Sequence, residues 1–506
     1  MRRAVLAVDI GTSVVKAAVF DGTGAALRVA RAEPPLLDVG AGRSEIDMEA
    51  LWAVVARLIR DTAAGGDFAI EALALSGTSC GAWLVDAAGR PVRPAILWND
   101  GRAARTIAEW QRAGVLDAIF ARSGNVLFPG YTVAVLRWLK EHEPASLAAA
   151  AAVVCCKDFV RLRLTGRLAT DPSDASYVPF DIAAGRFSPE IFDLCGIGDL
   201  VPLLPEIVES GAVAGTLQAQ SAALLGLPSG IPVVTGMTDV AATTLGAGAL
   251  HPGTACTILG TSCLNTLVLA EPMLTGPAVG IAARTVGPTF LRSMVNTAGT
   301  LNLDWFLREI WPSTAGDPFA AFEVAAAAVP IGARGLLYHP YLNTTGVLSP
   351  FVHPHARAQF FGLSVEHGRA DIGRAVLEGV AFAIRDCFAA MPEMPGRLRL
   401  TGGGSRSRLW CAIIADCLGV PVDVPLAPEP GAYGVAMLAL VATGLAPDLT
   451  HLADAVAIEA TYEPDRGREA RYSELFALYR SVAAHSIENW TLRARLGGDA
   501  RGPGAS

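Results

Sequence analysis

The stretch AVLAVDIGTSVVKAAVFD, from Ala4 to Asp21, constrains the fold more than any other part of the chain. Val5 to Val8 and Val14 to Phe20 read as two strands, with Gly11, Thr12 and Ser13 in the bend between them. A plain hairpin needs turn residues there, and glycine with small hydroxyls serves. It does not need a carboxylate at the end of the first strand, Asp9, or an ammonium early in the second, Lys16. A glycine turn with backbone N–H groups, two hydroxyls and an ammonium suits a polyphosphate, and a nearby carboxylate can hold Mg2+ through water. Taken alone, the stretch leaves hairpin and phosphate loop both open.

The pattern recurs. ACTILGTSCLNTLVLA, starting at Ala255, is again strand, Gly-Thr-Ser and strand, with Gly260, Thr261 and Ser262 in the bend. A third Gly-Thr-Ser stands at Gly77–Ser79. The two hairpins raise a duplicated core unit as an expectation without establishing it. Strands alternating with helical stretches such as Met48 to Ala63 give an α/β class. A chain of 506 residues exceeds one hydrophobic core, and LGAGALHPG, near Leu245 to His251, reads as a flexible boundary. The expected domains are therefore 1–247 and 248–493, with a disordered tail at 494–506.

The net charge of −8 argues against nonspecific nucleic-acid binding. The opening MRRAVLAVDIGTS has too short an apolar run for a membrane span, so no membrane association and a cytoplasmic location are expected. Nine scattered cysteines without a CxxC pair read as buried thiols, and zinc is not expected. Lysine occurs only at Lys16, Lys140 and Lys157, although Lys plus Arg total 40. These three become candidates for places where arginine cannot serve, such as a tight phosphate turn.

Two further stretches carry chemistry. In VVTGMTDVAATTLGAG, Asp239 follows a strand and opens a helix, with Thr238 as N-cap. A lone acid there is by itself an ordinary cap or dipole partner. In RLRLTGGGSRSRLW a strand ends in Gly402, Gly403 and Gly404 and enters a helix near Ser405. That arrangement lets a nucleotide approach the backbone closely, yet it is neither the dinucleotide fingerprint nor a Walker A motif.

Together these pieces resemble the FGGY family of carbohydrate kinases, within the sugar kinase, Hsp70 and actin superfamily. DIGTSVVKA resembles its first phosphate loop and ILGTSCLNT its second, while TGGGSRSRLW with EPGAYGVAMLA resembles its adenosine site. GYTVAVLRWLKEH is similar to the first family signature, with Val135 where lysine is usual. AQFFGLSVEHGRADIGRAVLE fits the second, and KDFVRLRLTGRLATDPSDAS resembles a segment shared by xylulose kinases. The resemblance implies two actin-like (ribonuclease H-like) ATPase domains with an interdomain active-site cleft. The first would bind sugar and carry the catalytic base, and the second would bind nucleotide.

The resemblance also implies roles. Asp239 would be the general base and a metal-site carboxylate, and Asp9 would hold Mg2+ through water. Gly11, Thr12, Ser13, Lys16, Gly260, Thr261, Ser262, Gly402, Gly403, Gly404 and Arg406 would bind ATP. Ser79, Cys80, Trp98, Asn99, Asp100 and Asp239 would bind the sugar. D-xylulose is the first expected substrate, with L-xylulose or an alditol such as erythritol as alternatives. Cys80 stands where xylulose kinases usually have histidine, and Val240 where asparagine usually follows the base. A catalytically silent sugar sensor and an actin- or Hsp70-like ATPase are the readings of another class. Dimers are common in the family, and a homodimer is left open.

Overall fold

The first strand is buried from Ala4 to Ile10, the continuous apolar run of a central strand covered on both faces. The computed structural model describes residues 1–311, 318–427 and 429–496. Within these the chain divides into two compact units. The first comprises Met1–Leu250, Leu269–Leu291 and Ala427–Val456, and the second His251–Val268, Arg292–Leu426 and the chain from Ala457 onward.

In the first unit, β1 (Arg2–Ile10), β2 (Val15–Asp21), β3 (Ala26–Ala32), β4 (Phe68–Gly77), β5 (Val213–Thr216) and β6 (Pro232–Val234) form one sheet. Its order is β3-β2-β1-β4-β6-β5, and the short β7 (Met237–Thr238) pairs with β4 beyond β6. β1 runs antiparallel to β2 and parallel to β4; β6 runs parallel to β4 and antiparallel to β5. The expected helix at Met48–Ala63 forms with Asp47 as N-cap, whose carboxylate accepts from Ala50 N at 3.0 Å. It buries Leu51, Trp52, Val55, Leu58 and Ile59 against β1, β2 and β3.

The second unit repeats this plan. Its strands are β8 (Thr254–Leu259), β9 (Cys263–Leu269), β10 (Phe290–Asn296), β11 (Arg397–Thr401), β12 (Val422–Pro425) and β13 (Ile458–Tyr462). They lie in the order β10-β9-β8-β11-β12-β13. β8 is antiparallel to β9 and parallel to β11; β12 is parallel to β11 and antiparallel to β13. The order of these six strands and the directions of the β8–β9, β8–β11, β11–β12 and β12–β13 pairs match the first sheet, so the two Gly-Thr-Ser hairpins take equivalent places.

By packing, the two units interleave along the chain. Residues Ala427–Val456 pack with the first unit because the helix Pro430–Ala442, almost wholly apolar, covers β1 and β4. The helix carrying Asp239 (Asp239–Gly246) crosses that helix where two glycines meet. A Cβ on Gly434 would collide with the Ala242 carbonyl, and one on Gly246 with the Pro430 carbonyl. The glycine-turn stretch enters a single 3-10 turn at Gly403–Arg406, around Ser405, and then the α-helix Arg408–Leu418, capped by Ser407. The tail expected to be disordered begins with Ala494–Leu496, which end the last helix; 497–506 lie outside the described residues. Among the described residues no helix is long and apolar enough to cross a membrane.

The glycine crossing has a measurable consequence. Gly434→Ala forces the two helices apart, and the expected loss of unfolding free energy is about 1–3 kcal/mol, in the range of other overpacking substitutions. Equilibrium denaturation with an unchanged slope and a lower midpoint is the check; an unchanged midpoint contradicts the close crossing.

Candidate active site

Strand register assembles the centre of the site. Asp9 pairs directly with Lys16 across the antiparallel β1–β2 ladder and with Ser76 across the parallel β1–β4 ladder. The three side chains therefore share one rung and one face. Ser76 Oγ donates to Asp9 Oδ1 at 2.7 Å, and Lys16 Nζ stands 4.0 Å from Asp9 Oδ2. β7 extends the same rung, because Met237 pairs with Ser76 and Thr238 with Gly77. Asp239 thus emerges one residue beyond the sheet as the first residue of its helix. Thr238 is the N-cap, accepting from Ala241 N at 3.3 Å, and Asp239 Oδ1 accepts from its neighbour Val240 N at 2.7 Å.

Two residues that the sequence did not single out complete this centre. Glu429 is buried and accepts from Lys16 Nζ at 2.9 Å and from Arg31 Nε at 2.9 Å. Gly431 follows at the start of the Pro430 helix, where a Cβ would stand 2.6 Å from Asp9 Oδ2. Its missing side chain admits the Asp9 carboxylate to the helix N-terminus. The EPGAYGVAMLA stretch drew notice as a resemblance to an adenosine site, but its EPG entry to a helix reads locally as ordinary Pro-at-N1 chemistry and does not point to Asp9 or Lys16.

Both carboxylates are pushed up from their ordinary values. Burial does this to Asp9, opposed by the Ser76 hydrogen bond and the Lys16 charge. Asp239 is raised to about 7, first by desolvation and then by repulsion from Asp9, although its side chain keeps part of its surface in solvent. A carboxylate poised near neutrality can take a proton from an alcohol in a transition state.

The turn after β1 is tight. Gly11 N donates to Val14 O at 3.1 Å, and a Cβ on Gly11 would press on that oxygen at 2.9 Å. Thr12 and Ser13 lie partly or fully exposed beyond it. In the second unit Gly260 N donates to Ser262 O at 3.0 Å, leaving Thr261 and Ser262 exposed. Gly402 and Gly403 of that unit are exposed, Gly404 is packed against Leu259, and Arg406 is exposed. Gly402 has φ +90°, a conformation that glycine adopts freely.

The expected sugar-binding residues divide. Trp98 is 41 % exposed and Asn99 is exposed beside it. Asp100 is enclosed instead: it accepts from Ser44 N at 2.7 Å, and from Arg102 through N and Nε at 2.8 Å and Nη2 at 2.9 Å. Its oxygens are committed inside the protein, where they anchor the loop that presents Trp98 and Asn99. Ser79 is half-buried, and Cys80 is buried with φ +64°. Burial pushes the Cys80 thiol well up, and its neighbourhood includes Asp174 and Asp239.

Residues 4–246 match the N-terminal domain, and 255–443 the C-terminal domain, of the FGGY family of carbohydrate kinases. The chain is 33 % identical to an erythritol kinase of Brucella abortus (96 % of this chain, 97 % of that one). It is 32 % identical to a xylulose kinase of Escherichia coli (94 % and 98 %). Among solved structures, a xylulose kinase from Rhodospirillum rubrum superposes with TM-score 0.87 at 28 % identity (97 % and 100 %). A gluconate kinase from Lactobacillus acidophilus shares the fold, with TM-score 0.90 at 23 % identity (97 % and 99 %).

The raised Asp239 pKa sets a sign for stability. A carboxyl that stays protonated to about 7 when folded, but only to about 4 when unfolded, costs stability as pH climbs through that window. Asp239→Asn should therefore raise Tm more at pH 8 than at pH 5. An infrared difference titration of the ligand-free protein against this variant should place half-protonation near 7. Half-protonation near 4 would contradict the desolvated setting.

Proposed function

The chain belongs to the FGGY family of carbohydrate kinases, and on that premise we propose that it transfers the γ-phosphoryl group of ATP to a terminal hydroxyl of a small acyclic substrate. D-xylulose is the first candidate. The observation that carries the reading is the rung of Asp9, Lys16 and Ser76 with Asp239 emerging beside it. Asp239 is the base that removes the proton from the attacking hydroxyl. Thr12, Ser13 and Lys16 bind phosphate oxygens, and the exposed Thr261, Ser262, Gly402, Gly403 and Arg406 of the second unit supply further nucleotide contacts. Phosphoryl transfer is mostly positioning and charge stabilisation, so few groups are needed.

Asp9 fits Mg2+ held through water. Its Oδ1 is taken by Ser76, while Oδ2 has the Lys16 ammonium at 4.0 Å and the space left by the Gly431 side chain beside it. When bound, Mg2+ neutralises charge on the polyphosphate. Lys16 is held by Glu429 in the structure, so binding phosphate exchanges one oxygen partner for another.

On the sugar side, Trp98 and Asn99 offer an apolar face and an amide, and Ser79 a hydroxyl. Cys80 and Val240 offer no strong hydrogen-bonding group, which favours a second reading, an alditol such as erythritol. The Brucella relative named erythritol kinase points the same way. A backbone at φ +64° tolerates histidine better than most residues, so Cys80→His is a fair test of the difference.

Asp239→Asn should lower kcat by about 10²–10⁴ while ATP still binds; near wild-type turnover removes the base. EDTA should abolish activity and Mg2+ restore it, and Asp9→Ala with an unchanged rate and Mg2+ dependence contradicts its role. ADP release is to be measured over D- and L-xylulose, D- and L-ribulose, erythritol, xylitol, ribitol, glycerol and gluconate. Cys80→His with Val240→Asn should raise kcat/KM for D-xylulose relative to the best native substrate, by roughly two- to twelvefold per restored hydrogen bond. Glycerol or gluconate outrunning every pentulose and alditol contradicts the proposed substrate class.

A further inference from the structure

Lys157 lies in the first unit with no solvent exposure. Its Nζ stands 2.6 Å from Asp158 Oδ1, 2.8 Å from Asp171 Oδ1 and 2.8 Å from Asp174 Oδ2, and all four side chains are fully enclosed. Arg161, also enclosed, adds its Nη1 to Asp158 Oδ1 at 2.9 Å. Two cations and three carboxylates thus share an enclosed volume. Burying such a group of charges brings little net stability compared with apolar residues of the same size, so its presence calls for another reason.

The hydrogen bonds leaving the cluster supply one, because they converge on the segment that delivers Asp239. Arg161 Nη1 donates to Thr235 O at 2.8 Å. Asp171 Oδ2 accepts from Ser210 Oγ at 2.7 Å, and the Ser210 carbonyl accepts from Gly236 N at 3.0 Å. The same Oδ2 accepts from Ser173 Oγ at 2.6 Å, and Ser173 Oγ in turn accepts from Thr238 N at 2.9 Å. Three of the four residues before Asp239 are therefore tied, directly or through one serine, to the cluster. Gly236, with φ +82° and no room for a Cβ beside the Leu75 carbonyl, is the tight bend between those ties.

We infer that the Lys157 cluster is a positioning device for Asp239, acting through Ser173 and Ser210 on the backbone from Thr235 to Thr238. This rests on Asp239 being the base. The compact ammonium meets three carboxylates from three directions, which the planar fork of arginine does not do. That accounts for a lysine at this position in a chain that otherwise uses arginine.

The test uses the full-length protein. Ser173→Ala removes the tie to Thr238 N and leaves the ions in place. The expected result is a kcat roughly ten- to a hundredfold lower, with KM for sugar and Kd for ATP within about twofold. Ser173→Thr, which keeps the hydroxyl, should restore most of kcat. In the Asp239→Asn background, Ser173→Ala should change kcat no further, since the tie has no base left to place. Ser210→Ala gives the same reading should Ser173→Ala fail to fold. Wild-type kcat in either folded alanine variant overturns the inference, as does an equal drop in both backgrounds, which marks a structural effect alone. Near wild-type turnover of Asp239→Asn by itself removes the base, and the inference falls with it; that outcome is distinct from a dead Asp239→Asn beside a fully active Ser173→Ala.

Discussion

An ammonium deprived of water keeps its charge only if carboxylates surround it, and much of the first unit's geometry follows from how Lys157 meets that condition. The carboxylates come from its own helix, Asp158, and from the short turn at Asp171–Asp174. Asp171 can serve only because it also caps that turn, accepting from Ser173 N at 2.9 Å and Asp174 N at 3.2 Å. A helix start, a turn and the approach to β7 are thus fixed to one another by charges that cannot separate without exposing an uncompensated ion.

The opposite arrangement holds one rung away. Asp9 and Asp239 are both carboxylates in desolvated surroundings; Asp9 adds to the cost of ionising Asp239, and Glu429 to that of ionising Asp9. Ser76 and the distant Lys16 offset only part of this. A site that gathers negative charge without full compensation is ready for a cationic partner and poised for proton transfer, at some expense in stability. The first unit therefore contains one charge cluster that is closed and one that is open, joined by four residues of backbone.

Much of this was legible in the residues. The strand–Gly-Thr-Ser–strand pattern gave both hairpins, and its recurrence gave the duplicated sheet, because strand pairing and turn chemistry are local. Thr238 and Asp239 were readable as cap and helix start for the same reason. Glu429 and Gly431 were not, since their meaning lies in meeting Lys16 and Asp9 from more than 400 residues away. The scarcity of lysine marked Lys16 and Lys157 well, but Lys140 is a surface residue paired with Asp199 at 2.5 Å. The resemblance alone put Asp100 among the sugar ligands; that Arg102 and Ser44 N donate to it is a tertiary fact that no local pattern shows. That Ala427–Val456 packs with the first unit was not legible, because apolar periodicity identifies a helix without naming the sheet that it covers.

That last feature bears on how the protein is made. β1 and its cover, the helix Pro430–Ala442, are made more than 400 residues apart. At roughly 5–20 residues per second, β1 and β4 wait on the order of 20–90 s with one apolar face open. Contacts of such sequence separation are slow to form and leave an aggregation-prone intermediate while they are missing. Synthesis of this chain thus contains a long interval in which the first sheet must be shielded by something other than its own helix. Lys16, whose partner Glu429 opens that same helix, spends the interval with its charge turned to water.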